Sequence, residues 1–259
     1  MAAVLASGFL TQVGVSNQSA VSPEGRPVSE FLMVPVRVHL LRSKDSAAVG
    51  TRLTALEVER IFRKANGIWH AAGVHLWPES VVSEDADNIA GTEKETAVQY
   101  NELLPLRPRG SRAEDMFHVY YIRAMVVNGI FIRRDAIFVQ EVAALRPVPG
   151  GIDEPLPRVT SHELGHALGL PHRQDRTNLM ASGTTGTSLN DDEIHTARHT
   201  AESLKWVESS ESFLKKADAL AAEDKKEAAA SRYRAIVDLP GTSDLKARAK
   251  SKLSVTDPH

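Results

Sequence analysis

From residue 31 onward the apolar and polar positions fall into blocks of distinct period. Residues 31–40, Phe-Leu-Met-Val-Pro-Val-Arg-Val-His-Leu, run apolar and then alternate. This predicts a strand whose proline puts its start at an edge or before full pairing. Leu53, Leu56, Ile61 and Ile68 recur at helical spacing, predicting a helix over about residues 53–71 that Gly73 ends. Residues 74–82 read as a second strand. Residues 83–112 are polar, with a short helix near 96–104 and a loop broken by Pro105, Pro108 and Gly110. Residues 116–127 form a strong strand pattern. A turn at Asn128-Gly129 leads to Ile130-Phe131-Ile132, and residues 135–142 give one more strand.

A loop with four prolines and two adjacent glycines covers residues 143–157, and residues 183–190 are rich in Thr, Ser and Gly. Asp191-Asp192-Glu193 places negative charge where a helix N-terminus favours it, so a helix is expected from there to about Val207. The last fifty residues are rich in Ala, Lys and Glu with helical periodicity. Phe213, Ala217, Leu220, Ala229, Tyr233 and Ile236, followed by Pro240-Gly241, loosely resemble one tetratricopeptide-type helical pair, with a further helix over about 243–253. One such pair cannot form a solenoid. It docks on the preceding domain, or it recruits a protein partner or a second copy of the chain.

Between the last strand and the acidic helix start lies His-Glu-Leu-Gly-His-Ala-Leu-Gly-Leu-Pro-His, residues 162–172. Five specified positions coincide in H-E-x-x-H-x-x-G-x-x-H, an event on the order of one in ten million per starting point at average residue usage. On a helix, His162 and His166 stand four residues apart and raise their imidazoles from one face, where both can grip a single ion. A continuing helix would point residue 172 away from that ion. Gly169 can adopt the positive backbone angle that ends a helix, and Pro171 cannot continue one, so His172 swings back as a third ligand. Three protein ligands leave the fourth tetrahedral position of a Zn2+ ion for water, the arrangement of a catalytic zinc. Glu163, beside the pair, stands as general base.

Six residues past His172 begins Asn-Leu-Met-Ala, residues 178–181, with Met180 eight residues past it. With the zinc motif before it, this resembles the metzincin clan of zinc endopeptidases, in which a methionine, here Met180, lies beneath the three-histidine site in a Met-turn. The resemblance covers about residues 30–207 and implies an α+β, zincin/metzincin-like fold. That fold is a twisted mixed sheet with an antiparallel edge strand over an active-site helix, here followed by the C-terminal helical tail. It also implies that the last strand before the zinc helix is the edge lining the cleft. An extended peptide would then pair by backbone hydrogen bonds with Ala136, Ile137, Phe138, Val139 and Gln140. Some relatives carry a tyrosine ligand two residues past the methionine. Ser182 stands there in this chain, and with no cysteine it cannot use the propeptide-cysteine latency of others. Asp175 either orients a ligand histidine or caps a turn.

The expected organisation is a flexible leader over 1–29, a catalytic domain over 30–207 and the helical tail over 208–259. At 259 residues and 42% hydrophobic content the chain can bury a full core. A formal net charge of −2 gives no basic excess for nucleic acid, and no apolar run is long enough to span a bilayer. The resemblance favours a secreted or periplasmic compartment. Yet no Lys or Arg precedes the apolar stretch 2–15, so a signal peptide is poorly formed. The function expected is peptide-bond hydrolysis by a zinc metalloendopeptidase. The same ligands also suit a zinc hydrolase of a non-protein amide, or a zinc-stabilised binding module with little turnover. His195 and His199 repeat the four-residue spacing but lack a nearby base or third ligand.

Overall fold

The computed structural model describes residues 26–256, so most of the expected leader and its apolar stretch lie outside the described residues. The described end of that leader is folded: Val28–Glu30 form a 3-10 turn and Val28 is buried. The elements then follow as β1 (Leu32–Arg42), α1 (Ala55–Trp69), β2 (Val74–Asp85), the single turn α2 (Tyr100–Leu103), β3 (Phe117–Ile122), β4 (Gly129–Ile132), β5 (Ala136–Gln140), α3 (Pro155–Ala167), α4 (Asp191–Ser203), the two-residue β6 (Glu208–Ser209), α5 (Ser210–Ala222), α6 (Lys226–Val237) and α7 (Asp244–Thr256).

The fold is α+β around a mixed sheet of order β2-β1-β3-β5-β4. β1, β2, β3 and β5 run parallel and β4 runs antiparallel to β5. Strand β1 is interior to the sheet, which its proline tolerates because pairing with β3 begins only at Val36, one residue past Pro35. The side of β1 left open before that point is filled by β6, which pairs Ser209 with Leu32 and Glu208 with Met33.

A Thr54–Glu57 capping box starts α1: Glu57 N–H donates to Thr54 Oγ1 and the Glu57 carboxylate accepts from Thr54 N–H. Its stripe of Val58, Ile61, Phe62, Ala65 and Trp69 is fully buried, packed with α3 in the core against the sheet. Asn66 ties helix to sheet, donating to Leu76 O and accepting from Leu76 N–H. The expected helix at 96–104 shrinks to α2 because Pro105 removes a helical donor, and a 3-10 turn at Leu104–Leu106 takes over. With residues 46–49 these segments cover the other sheet face over Leu41, Tyr120 and Phe138.

Helices α5, α6 and α7 share a buried cluster with Val28, Phe31, Met33 and Trp77, so the tail docks on the start of the sheet. Arg232 lies over the Phe213 ring at 4.2 Å, and Trp77 meets Phe213 edge-on at 4.8 Å between centroids.

One expectation is overturned. Ala136, Ile137, Phe138, Val139 and Gln140 form β5, which is paired on both sides, with β3 and with β4. Its first four residues are buried and its backbone hydrogen bonds are spent in the sheet, so no peptide can pair with it. The chain passes from β3 to the outer strand β4, then folds back through Arg133–Asp135 and inserts β5 between them. The antiparallel edge is β4.

Candidate metal centre

Helix α3 starts with Pro155 at its first position, where the missing N–H costs no helical bond. It ends in a Schellman motif: Leu170 N–H donates to Gly165 O at 2.9 Å and Gly169 N–H to His166 O at 3.0 Å, with Gly169 at φ 86°. The turn brings His172 to face the helix, and the three imidazoles converge. His166 Nε2 lies 3.2 Å from His162 Nε2 and 3.1 Å from His172 Nε2. Tetrahedral ligands at the usual zinc–nitrogen length of about 2.0–2.1 Å stand roughly 3.3 Å apart, so the cluster has the spacing of one ion's ligands.

The outer nitrogens fix which nitrogen is free. His162 Nδ1–H donates to Leu179 O at 2.8 Å and His166 Nδ1–H to Leu170 O at 2.7 Å, leaving both Nε2 lone pairs directed into the cluster. Burial holds the His162 imidazole down to about 3 and lowers His166 as well, so both are neutral, as metal ligands must be. Among the described residues no other trio of His, Asp or Glu gathers within such reach. His195 and His199 stack at 6.4 Å between centroids on the exposed side of α4, with no third ligand.

Met180 is fully buried beneath the site. Its sulfur lies 2.6 Å from where a β-carbon on Gly165 would stand, so the side chain rests on the α3 backbone between the two helical ligands. Asp175 touches no ligand histidine and instead accepts the Thr177 N–H and hydroxyl, each at 2.9 Å, in an Asx turn. The partners that orient His162 and His166 are backbone carbonyls.

Glu163 is 5% exposed beside the trio. Burial pushes its carboxyl up to about 8, against the opposing pull of the Phe131 N–H and the Arg158 charge. A divalent cation close by would favour the carboxylate. An open cavity of about 650 Å³ joins Glu163 and the three histidines to Gly129, Ile130 and Phe131 of β4. Sequence reasoning missed four contributors: Gly129, the carbonyls of Leu179 and Leu170, and Arg158, which donates to Leu179 O at 2.7 Å and to Gly186 O and Ala181 O. Only Arg158 left a readable signal, a charge four residues before His162 and hence on the same helix face.

No protein-family model and no curated protein sequence matches the chain, so the tetratricopeptide resemblance of the tail stands on its residues alone. Among solved structures, archaemetzincin from Methanopyrus kandleri aligns with a TM-score of 0.43 at 19% identity, over 66% of this chain and 96% of that one. Metalloproteinase-II from Bacteroides fragilis aligns with a TM-score of 0.38 at 11% identity, over 66% and 54%. A chaperone–substrate complex gives a TM-score of 0.42 at 11% identity, over 68% and 35%.

Proposed function

We propose that the protein is a zinc-dependent endopeptidase of the metzincin kind, with His162, His166 and His172 holding the ion and Glu163 as general base. The observation that carries this reading is the convergence of three Nε2 atoms beside a buried carboxylate, in a cavity bordered by a free strand edge. A zinc ion held there supplies a Lewis acid and acidifies water near neutral pH.

The remaining work falls to the chain. Strand β4 offers the outer edge of the sheet, so an extended peptide adds to it as a further strand beside the trio. Glu163 takes the proton of the attacking water on its carboxylate and passes it to the departing amine nitrogen. Its buried position keeps bulk water from competing for that proton. An open groove along a strand edge suits a chain-like substrate better than a compact amide.

The test is a peptide library incubated with purified protein, with and without a chelator. Internal cleavage that the chelator abolishes is expected. Cleavage of small amides alone, or none by zinc-loaded protein, overturns the reading.

A further inference from the structure

One cation in the cavity makes no ion pair among the described residues. Arg158 is 2% exposed, one turn before His162 on α3, and lines the cavity with the trio. A guanidinium carries five donors. Nε donates to Gly186 O at 3.2 Å, and Nη2 donates to Leu179 O at 2.7 Å and to Ala181 O. Nη1 has no hydrogen-bond partner among the described residues and is not fully enclosed, and Arg158 is one of the residues that line the cavity. Glu163 is the only carboxylate lining that cavity, and it makes no ion pair with Arg158. Burial lowers the guanidinium to about 10, against the opposing pull of the Glu163 charge.

A buried Arg is almost always paired, and a charged N–H donor left over on Nη1 suits an anionic oxygen acceptor. We propose that Arg158 anchors a carboxylate of the substrate, so that the cavity selects peptides bearing Asp, Glu or a free chain end close to the bond that is cut. One helical turn separates Arg158 from His162, about 6 Å along the axis. An extended peptide advances about 3.3 Å per residue, so the carboxylate lies within about two residues of that bond. Arg158 is then a specificity residue whose other donors brace the loop that carries Met180. This inference rests on the peptidase reading above.

The test pairs peptides that differ only by Glu against Gln at each of the two positions either side of the cleaved bond. A second pair differs only by a free or amidated C-terminus. A charge-assisted hydrogen bond predicts that the wild type prefers the acid by about ten- to a hundredfold in kcat/KM. The position, or the chain end, that shows the ratio names the source of the carboxylate. In Arg158→Lys, which keeps one charge without the paired donors, the ratio shrinks. Should that variant fail to fold, the wild-type ratio alone decides.

The same pairs titrated into zinc-loaded Glu163→Gln by calorimetry should show the acid binding at least about tenfold tighter. Cleavage with equal rates and equal affinities for acid and amide overturns the subsite and leaves the peptidase. Preferential binding of the acid with no cleavage by wild type keeps the subsite and overturns the peptidase.

Discussion

Gly129 and Glu163 are packed so closely that a β-carbon on the glycine would stand 2.8 Å from both Cγ and Oε1 of the glutamate. The edge strand therefore sets the position of the Glu163 carboxylate, the proposed general base, through an absent side chain. Gly129→Ala would also press Val159 Cγ1 from 2.5 Å, so α3 cannot simply yield. The expected result is a kcat lower by about ten- to a hundredfold with zinc content unchanged, since misplacement by an ångström costs on that order and no ligand touches Gly129. Unchanged kcat would separate β4 from the chemistry.

Met180 supports the trio from below. Met180→Ala opens a cavity under α3 and should cost about 2–5 kcal/mol in urea unfolding, whereas the near-isosteric Met180→Leu should cost less than about 1.5 kcal/mol. Zinc affinity, measured by competition with a chromophoric chelator, should weaken about ten- to a hundredfold in the alanine variant. Equal affinity in all three proteins would reduce Met180 to core filler.

A pH response is stored away from the site. His75 Nδ1 and His70 Nε2 lie 3.1 Å apart beside the tail, with His75 buried and His70 half-buried. Burial lowers His75 to about 3 and His70 to about 4. The unfolded chain binds protons below the ordinary imidazole value of 6.5 while the folded chain does not, so both groups stabilise the fold above that pH. The stabilisation drains as pH falls from 6.5 through 4 toward 3, by about 1.4 kcal/mol per pH unit for each imidazole. Unfolding free energies of wild type and His75→Leu across pH 4–6.5 should differ in slope by about one such increment. Parallel curves would refute it.

The tail packs on the start of the sheet and should unfold with it. Phe213 is 1% exposed against Trp77 and Arg232, and β6 joins the tail to β1. Phe213→Ala should lose about 3–5 kcal/mol in a single denaturation transition. Two separate transitions, with metal binding confined to the later one, would show the tail to be an independent module.

The chemistry was legible because it is local. His162, Glu163, His166, Gly169 and His172 lie within eleven residues whose helical spacing and glycine stop prescribe their meeting. The strands were legible as strands, but their order was not. Period-two patterning marks β3, β4 and β5 without saying that β5 inserts between the other two, and the exposed edge was therefore assigned to residues 136–140 in place of 129–132.

What brings remote groups together left little trace. His39 Nε2 meets His118 Nδ1 at 2.8 Å only because β1 and β3 are neighbours in the sheet. The carbonyls of Leu179 and Leu170 orient two ligands with backbone atoms, which side-chain identity does not encode.

The central claim is that Glu163 moves a proton for an ion that it does not hold. Its most direct test is one comparison of purified Glu163→Gln with wild type, reading zinc per chain and peptide cleavage on the same samples. Equal zinc content and cleavage slower by about a hundred- to ten-thousandfold are expected. Full zinc with undiminished cleavage would contradict it.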